Sequence, residues 1–301
     1  MERGGLRLSM KREPYLGKAA YTKAILKAHG IHARKRYGQN FLIDEDVLWA
    51  TVDAAGICEE DFVLEIGPGI GTLTQYLSYR AGKVLAIEID TSLLPVLADT
   101  LSGYPDTEIL TGDFMKIDLP ALLEEKNGGR PVKVAANLPY YITTPILMKL
   151  LEAPVPITDI TVMVKTEVAD RMTAGPGSKD YGALSLAVQY RARPEVVRVV
   201  HPSSFMPQPG VDSAVVHLSM YETPPVSCAD EELLLAVIRA AFNQRRKKLA
   251  NAVANAPGIA VSRETVEEAL ITAGLRADAR GEMLSLSDFA ALTDAIADRR
   301  G

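Results

Sequence analysis

The stretch that decides the fold is Phe62-Val-Leu-Glu-Ile-Gly-Pro-Gly-Ile-Gly-Thr72. Its first five residues are apolar apart from Glu65, which predicts a short buried strand, and a helix is predicted from about Thr72 to Tyr79. The glycines between them let the backbone turn tightly and approach a ligand closely, because no Cβ stands in the way. A strand, a glycine-rich turn and a helix in this order indicate a ligand site at the carboxyl edge of a parallel sheet.

Strands and helices alternate on both sides of this stretch. Further strands are predicted at residues 83–89, 107–110, 131–136 and 157–165, and later ones around 195–200 and 214–220. Helices are predicted at residues 15–28, 44–55 (with Asp44 as N-cap), 93–101, 145–151 and from 167 to 172. Short apolar strands that alternate with helices form parallel sheets covered on both faces, so the expected fold class is α/β.

The pattern changes after Thr223-Pro-Pro-Val226, where only helices are predicted, at residues 230–242, 244–255, 263–273 and 287–298. This change indicates a domain boundary between residues 221 and 228. We therefore expect a basic N-terminal segment at 1–43, an α/β domain at 44–222 and a small all-helical domain at 223–301.

Composition indicates a globular protein, with 48% hydrophobic and 24% charged residues among 301. No apolar run approaches eighteen residues and no apolar region follows the basic N-terminus, so neither a membrane span nor a secretory signal is expected. Cys58 and Cys228 are far apart and indicate a reducing compartment, which favours a cytoplasmic protein. The four histidines lack metal-ligand spacing, so no metal is expected.

Two basic clusters contrast with a net charge of −5 and a pI of about 5.5. The first contains Arg34, Lys35 and Arg36, and the second, on a predicted helix, contains Arg245, Arg246, Lys247 and Lys248. Local basic patches can bind phosphates even on an acidic protein. For either cluster alone, a solvated charged face is the alternative.

Polar residues end the next three predicted strands in turn. Glu88 could accept hydrogen bonds from ribose hydroxyls and Asp113 from an adenine amino group, and Asn137 completes the row. A dinucleotide fingerprint needs G-x-G-x-x-G, but here the sixth position is Thr72. The G-x-G-x-G spacing resembles motif I of S-adenosylmethionine methyltransferases, which implies that cofactor.

The turn Asn137-Leu138-Pro139-Tyr140 suits the exocyclic amine of a flat base. The Asn137 amide oxygen and a neighbouring carbonyl can accept hydrogen bonds from an NH₂ group, while Pro139 stiffens the turn. Tyr140 offers a ring face for stacking.

Taken together, the chain resembles the ribosomal RNA adenine N6,N6-dimethyltransferases over nearly its whole length. The resemblance rests on Arg34-Lys-Arg-Tyr-Gly-Gln-Asn-Phe-Leu42, Glu65–Thr74, Asn137-Leu-Pro-Tyr140, Thr143-Thr-Pro145, Lys165-x-Glu167-Val168 with Arg171, Lys179-x-Tyr-Gly182, Pro202-x-x-Phe205-x-Pro207-x-Pro209-x-Val211-Asp-Ser213 and Phe242-Asn-Gln-Arg-Arg-Lys247. Tyr141 stands where many members have Asn, and Thr143 where many have Ser. Both positions lie beside the expected pocket.

The resemblance implies a Rossmann-like S-adenosylmethionine-dependent methyltransferase domain followed by a small helical domain. It implies dimethylation of two adjacent adenosines in the 3′-terminal hairpin loop of small-subunit RNA, within an immature 30S particle; we expect a monomer. The implied cofactor residues are Gln39, Asn40, Leu42, Gly67, Gly69, Glu88, Asp113 and Asn137, with residues 38–42 forming a lid. The implied catalytic residues are Asn137, Leu138, Tyr140 and Phe205, the last as a second aromatic ring around the target base.

Other functions remain open from the sequence. A relative that methylates large-subunit RNA, or a DNA adenine methyltransferase, would use the same cofactor site. A nucleic-acid-binding factor that has kept the fold is an alternative from another class, although it would not need the complete Glu65–Gly71, Glu88, Asp113 and Asn137 set. A nicotinamide dehydrogenase is disfavoured by Thr72 and the Asn-Leu-Pro-Tyr turn.

Overall fold

The computed structural model describes residues 12–31, 38–243 and 247–300. Its strands are β1 (Phe41–Leu42), β2 (Phe62–Ile66), β3 (Lys83–Glu88), β4 (Thr107–Thr111), β5 (Val132–Asn137), β6 (Ile157–Lys165), β7 (Ala192–Val200), β8 (Phe205–Met206) and β9 (Ser213–Met220). Its helices are α1 (Ala19–Ala28), α2 (Glu45–Ala54), α3 (Thr72–Arg80), α4 (Leu94–Thr100), α5 (Leu119–Asn127), α6 (Thr143–Glu152), α7 (Thr166–Thr173), α8 (Ala183–Arg191), α9 (Glu231–Asn243), α10 (Leu249–Ala254), α11 (Arg263–Thr272) and α12 (Leu286–Arg300). None of the described helices is long and apolar enough to cross a bilayer.

Seven strands form the main sheet in the order β4-β3-β2-β5-β6-β9-β7. The pairs β3–β4, β2–β3, β2–β5 and β5–β6 are parallel, which confirms the predicted α/β class. From β2 the chain builds β3 and β4 on one side and then crosses to β5 on the other. The carboxyl ends of β2 and β5 therefore meet at a topological switch point, where open α/β sheets bind their ligands.

A second, two-stranded sheet joins distant parts of the chain. β1 pairs with β8 in antiparallel fashion, with Phe41 opposite Met206 and Leu42 opposite Phe205. The Ile43 N–H extends this pairing by donating to the Ser204 carbonyl at 2.8 Å. We call this sheet the ribbon.

The chain divides into two compact units. The first contains residues 1–149, 153–166 and 196–217, and the second contains 150–152, 167–195 and 218–301. In the second unit, Leu186 and Tyr190 of α8 share an apolar core with residues of α9 to α12, such as Leu234 and Phe289. Residues 167–195 thus belong to the second unit, whereas the sequence places them in the α/β domain. The functional boundaries at 43/44 and 222/223 stay a prediction.

Most predicted elements agree with the structure to within a few residues. The Asp44 carboxylate accepts a hydrogen bond from the Val47 N–H at 3.3 Å, which confirms the predicted N-cap of α2. The prediction of a helix over 244–255 was wrong for residues 247 and 248, which are not helical. Lys247 and Lys248 precede α10, which begins at Leu249, and Lys248 is its N-cap residue with φ −58° and ψ 142°.

Candidate active site

A cavity opens at the carboxyl ends of β2, β3 and β5. Its walls are the lid at residues 38–42, the glycine-rich turn after β2, Glu88 and Ile89 after β3, and residues 137–141 after β5. The structure thus brings together the lid and three of the four strand ends that the sequence singles out. The fourth strand end, at Asp113, lines an adjoining cavity.

The glycine-rich turn needs its glycines. Gly67, Gly69 and Gly71 have φ of 73°, 61° and 88°, a region that residues with a Cβ rarely adopt. A Cβ on Gly69 would also lie 3.4 Å from the Phe41 ring of the lid. The turn therefore exposes backbone at the cavity and leaves room beside the lid.

Glu88 is 4% exposed and is held by two backbone donors. Its Oε2 accepts from the Gly69 N–H at 3.1 Å, and its Oε1 accepts from the Asp90 N–H at 2.6 Å. Burial raises the pKa of Glu88 despite these bonds. The carboxyl group thus links the glycine-rich turn to the end of β3 at a fixed place on the cavity wall.

The lid is tied to the same strand end. The Gln39 Nε2 donates to Asp90 Oδ2 at 3.0 Å. Asn40 Nδ2 donates to the Gly38 carbonyl at 3.2 Å, which stiffens the lid from within. Leu42 also lines the cavity, so the three lid residues that the resemblance implies as cofactor contacts, Gln39, Asn40 and Leu42, all line it.

The adjoining cavity is an apolar slot with one carboxylate. Ile66, Ile87, Ile89, Phe114, Met115 and Ile146 supply its apolar lining. Asp113 stands among them, with its Oδ1 accepting from the Met115 N–H at 3.0 Å. Gly67, Ile89, Pro139 and Tyr141 line both cavities, so a ligand could extend from one into the other.

The Asn137–Tyr140 turn is anchored at each of its first three residues. Asn137 Nδ2 donates to the Asn40 carbonyl of the lid at 3.3 Å, so Oδ1 is the end of this amide that can accept from a ligand. The Leu138 N–H donates to the Met163 carbonyl of β6 at 3.1 Å. The Thr143 hydroxyl donates to the Pro139 carbonyl at 3.0 Å, a bond that a Ser at this position would also form.

Tyr140 has two partners that the sequence did not assign. Its hydroxyl shares a 2.6 Å hydrogen bond with the buried Ser213 hydroxyl, and Lys165 Nζ lies 5.3 Å from its ring centroid. Both partners belong to quoted motifs, but their contacts join residues far apart in the chain. Tyr141 is 58% exposed, and its ring would lie 3.4 Å from a Cβ on Gly38 of the lid.

Phe205 is separated from the cavity in this structure. Its side chain is 1% exposed and packs in the apolar cluster that contains Leu42, Val47 and Leu48. β8 therefore places Phe205 behind the lid, and stacking on a base would require this cluster to open. The predicted stacking role of Phe205 stays a prediction.

Two buried oxygens at the cavity suit a polar ligand. Among the described residues, Glu65 Oε2 and Thr72 Oγ1 have no hydrogen-bond partner, and both residues line the cavity. Glu65 is 1% exposed, and burial raises its pKa to about 8. The sequence places Glu65 in the decisive stretch but assigns it no contact. Together with the glycine-rich turn and the apolar slot, these atoms fit a ligand with a flat ring at one end and hydrogen-bonding groups at the other.

The predicted RNA-binding residues are only partly described. Arg34, Lys35, Arg36, Arg245 and Arg246 lie outside the described residues. Lys247 and Lys248 are exposed in the second unit. In the ranges that the structure covers, no three His, Cys, Asp or Glu side chains form a group that could hold a metal ion.

Comparisons with known proteins point to one family. The ribosomal RNA adenine dimethylase family matches residues 30–297. The ribosomal RNA small subunit methyltransferase A of Lachnoclostridium phytofermentans is 53% identical over 95% of this chain and 99% of its own length. The protein of the same name from Geobacillus thermodenitrificans is 50% identical over 91% of this chain and 94% of its own.

Solved structures agree with this result. A dimethyladenosine transferase from Plasmodium falciparum is 26% identical, with a TM-score of 0.68 over 84% of this chain and 95% of its own. The 23S rRNA methyltransferase ErmE is 28% identical, with a TM-score of 0.65 over 86% of this chain and 100% of its own. Matches over most of the chain, to proteins that are all named as RNA methyltransferases or dimethyladenosine transferases, show that the protein is a methyltransferase. The chain belongs to the ribosomal RNA adenine dimethylase family.

Proposed function

We propose that the protein transfers methyl groups from S-adenosylmethionine to N6 of two adjacent adenosines in the 3′-terminal hairpin loop of small-subunit RNA. Family membership and the names of the relatives near 50% identity support this reaction and its substrate. The observation that carries the proposal is the anchored Asn137 amide. Its nitrogen donates a hydrogen bond to the lid, which leaves its oxygen as an acceptor on the wall of the first cavity.

The cofactor would lie across both cavities. Asp113 and the apolar slot would hold its adenine, and Glu88 would accept from the ribose hydroxyls. Gly67, Gly69 and the lid residues Gln39, Asn40 and Leu42 would enclose its methionine end. When bound, S-adenosylmethionine supplies an activated methyl group on a sulfonium.

The target adenine would bind beside this site by its exocyclic amine. The N6 lone pair is delocalised into the ring, which makes N6 a poor nucleophile. Hydrogen bonds from its N–H groups to Asn137 Oδ1 and the Leu138 carbonyl favour a pyramidal nitrogen and localise that lone pair. Such acceptors work best when they are held in place before the substrate arrives, as the anchors of this turn would ensure.

Stacking and alignment would supply the rest. Leaving the RNA stack costs a few kcal/mol, and stacking on Tyr140, with Phe205 if its cluster opens, would offset part of that. In-line placement of N6 and the methyl group accounts for much of the rate. No strong general base is needed, because the methylated amine is acidic enough to lose its proton to water or to a carbonyl.

The substrate can be identified by direct assay. Immature small subunits, large-subunit RNA and duplex DNA are incubated in parallel with protein and S-adenosylmethionine, and their nucleosides are analysed by mass spectrometry. We expect N6,N6-dimethyladenosine at two adjacent positions in small-subunit RNA only. Modification of large-subunit RNA instead, the substrate in ErmE's name, would replace the proposed substrate.

The role of Asn137 has its own test. Asn137→Ala is expected to lower turnover far more than RNA affinity, because it removes an acceptor used at N6. Equal losses of turnover and RNA binding would contradict the catalytic role.

We also propose how the remaining parts contribute. The helical region at 223–301, with Arg245, Arg246, Lys247 and Lys248, would bind RNA phosphates, as would Arg34, Lys35 and Arg36. Residues 44–222 would carry the methyltransferase domain. The protein would act as a monomer on the immature 30S particle, and hence in the cytoplasm. The basic clusters support RNA binding, and the names of the small-subunit relatives support a small-subunit substrate.

A further inference from the structure

Lys149 has an unusual set of partners. It lies half-buried in the last turn of α6, the helix that begins three residues after Tyr140. Its Nζ donates to the carbonyls of Phe114, Met115 and Ile117 at 2.8, 3.1 and 2.6 Å. Three acceptors match the three donors of an ammonium group, so the side chain is held in one place.

These carbonyls belong to the turn that follows Asp113. Asp113 caps a short 3₁₀ turn at Phe114–Lys116, and Phe114 and Met115 line the apolar slot. Lys149 Nζ also lies 5.1 Å from the Phe114 ring centroid. The position of Asp113 and of one slot wall therefore depends on a turn whose carbonyls are bonded to a single cation.

We infer that Lys149 is a positioning residue for cofactor binding, which holds the Asp113 turn in the geometry that accepts an adenine. The inference rests on the proposed function, in which Asp113 contacts the cofactor's adenine. Lys149 itself would touch no reacting atom. Without its ammonium group, three carbonyls would lose a charged donor, and the turn could relax away from the slot.

Calorimetric titration tests this inference with two ligands, S-adenosylmethionine and 5′-methylthioadenosine, which keeps the adenosine and the methylthio group but lacks the amino-acid chain. Lys149→Met is expected to weaken both by about tenfold, equivalent to the loss of one or two hydrogen bonds. At saturating cofactor, the kcat of Lys149→Met should stay within about twofold of the wild-type value, because the Asn137–Tyr140 turn is unchanged. Lys149→Gln keeps a shorter hydrogen-bond donor, so its affinity for both ligands should lie between that of Lys149→Met and that of the wild type. This variant replaces Lys149→Met in the test if Lys149→Met fails to fold.

A matched control lies on the same turn. Lys116 is 84% exposed and its Nζ is 3.9 Å from Asp113 Oδ2, so Lys116→Met removes a nearby charge but no bond to the turn's carbonyls. Its effect on either affinity should stay within about twofold. An equal loss in Lys116→Met and Lys149→Met would show a general charge effect and overturn the inference.

A double-mutant cycle separates positioning from general stability. If Lys149 acts through Asp113, Asp113→Ala with Lys149→Met should bind 5′-methylthioadenosine about as weakly as Asp113→Ala alone. Additive losses, or unchanged affinity in Lys149→Met and Lys149→Gln, would overturn the inference. If Asp113→Ala itself binds both ligands normally, the proposed cofactor contact fails instead, so the two failures are distinguishable.

Discussion

The carboxyl group of Glu65 lies in the middle of the sheet, where every residue of β2 is buried. Its pKa of about 8 follows from burial, which disfavours the charged form. The folded protein therefore keeps a proton that the unfolded chain, with a pKa near 4.5, releases. Because the native state binds more protons between pH 4.5 and 8, Glu65 makes the free energy of unfolding fall as pH rises through this window.

Glu65→Gln should remove this pH dependence, since glutamine has a similar shape and no charge. The stability of the variant relative to the wild type should rise between pH 5 and 8, by at most about 1.4 kcal/mol per pH unit. Urea unfolding at several pH values measures the difference. The exposed Glu124→Gln serves as a control for loss of one carboxylate. Parallel curves for Glu65→Gln and the wild type would mean that Glu65 is ionised in the folded protein.

Ser213 determines how Tyr140 is held. Its hydroxyl is buried and bonded to the Tyr140 hydroxyl, so the tip of the ring cannot swing away from Ser213 without breaking a 2.6 Å hydrogen bond. Ser213→Ala should loosen the ring and lower kcat by about three- to tenfold, while the cofactor's Kd stays unchanged. Single-turnover methylation and calorimetry measure the two quantities. Ser203→Ala, which lies on an exposed turn, is the control. A change in cofactor affinity without a change in rate would contradict the prediction.

At the scale of single elements, the sequence predicts the strands of the main sheet better than it predicts the helices. β2 is confirmed residue for residue because five apolar or buried residues end at a glycine turn. α5 was missed although it has both end signals, Asp118 as N-cap and Gly128 in the left-handed region after its end. α8 was missed because it is buried on nearly all sides and has no amphipathic period.

The parts of the site that the sequence could not predict are contacts between distant segments. The strand-end residues Glu88, Asp113 and Asn137 follow from strand–helix alternation, since parallel strands end at one edge. The ribbon joins residues more than 160 positions apart, and its register depends on tertiary packing. The burial of Phe205 and the Lys149 bonds likewise depend on which elements become neighbours in space.

The ribbon depends on Asp44, which has two roles. Asp44 lies two residues after the lid ends at Leu42. Its Oδ1 caps α2, and its Oδ2 accepts a hydrogen bond from the Ser204 hydroxyl at 2.7 Å. Asp44→Ala should lower stability by about 1–2 kcal/mol and also weaken cofactor binding, because the lid loses a support. Asp118→Ala removes the cap of α5 only and should cost about 1 kcal/mol with no change in cofactor affinity. Thermal unfolding measures the stability of both variants, and calorimetry measures their cofactor affinity. Equal cofactor affinities for Asp44→Ala and Asp118→Ala would show that the ribbon does not support the lid.

On the scale of the whole molecule, charge is distributed unevenly. A net charge of −5 works against general attraction to RNA, so binding should depend on local basic residues. Of the second cluster, the structure describes Lys247 and Lys248, which are exposed just before α10. Several other basic residues of the second unit have carboxylate partners, including Arg263 with Glu267 and Arg276 with Asp278.

This contrast yields a prediction for RNA binding. Replacing both Lys247 and Lys248 by Ala should weaken binding to small-subunit RNA and lower the slope of log affinity against log salt by about two, since each phosphate contact contributes about one. The double variant Arg263→Ala, Arg276→Ala removes the same charge, but its guanidinium groups are already paired, so its slope should change by less than one. Filter binding between about 50 and 200 mM salt measures both slopes. Equal slopes for the two variants would mean that total charge, and not the segment before α10, governs attraction to the RNA.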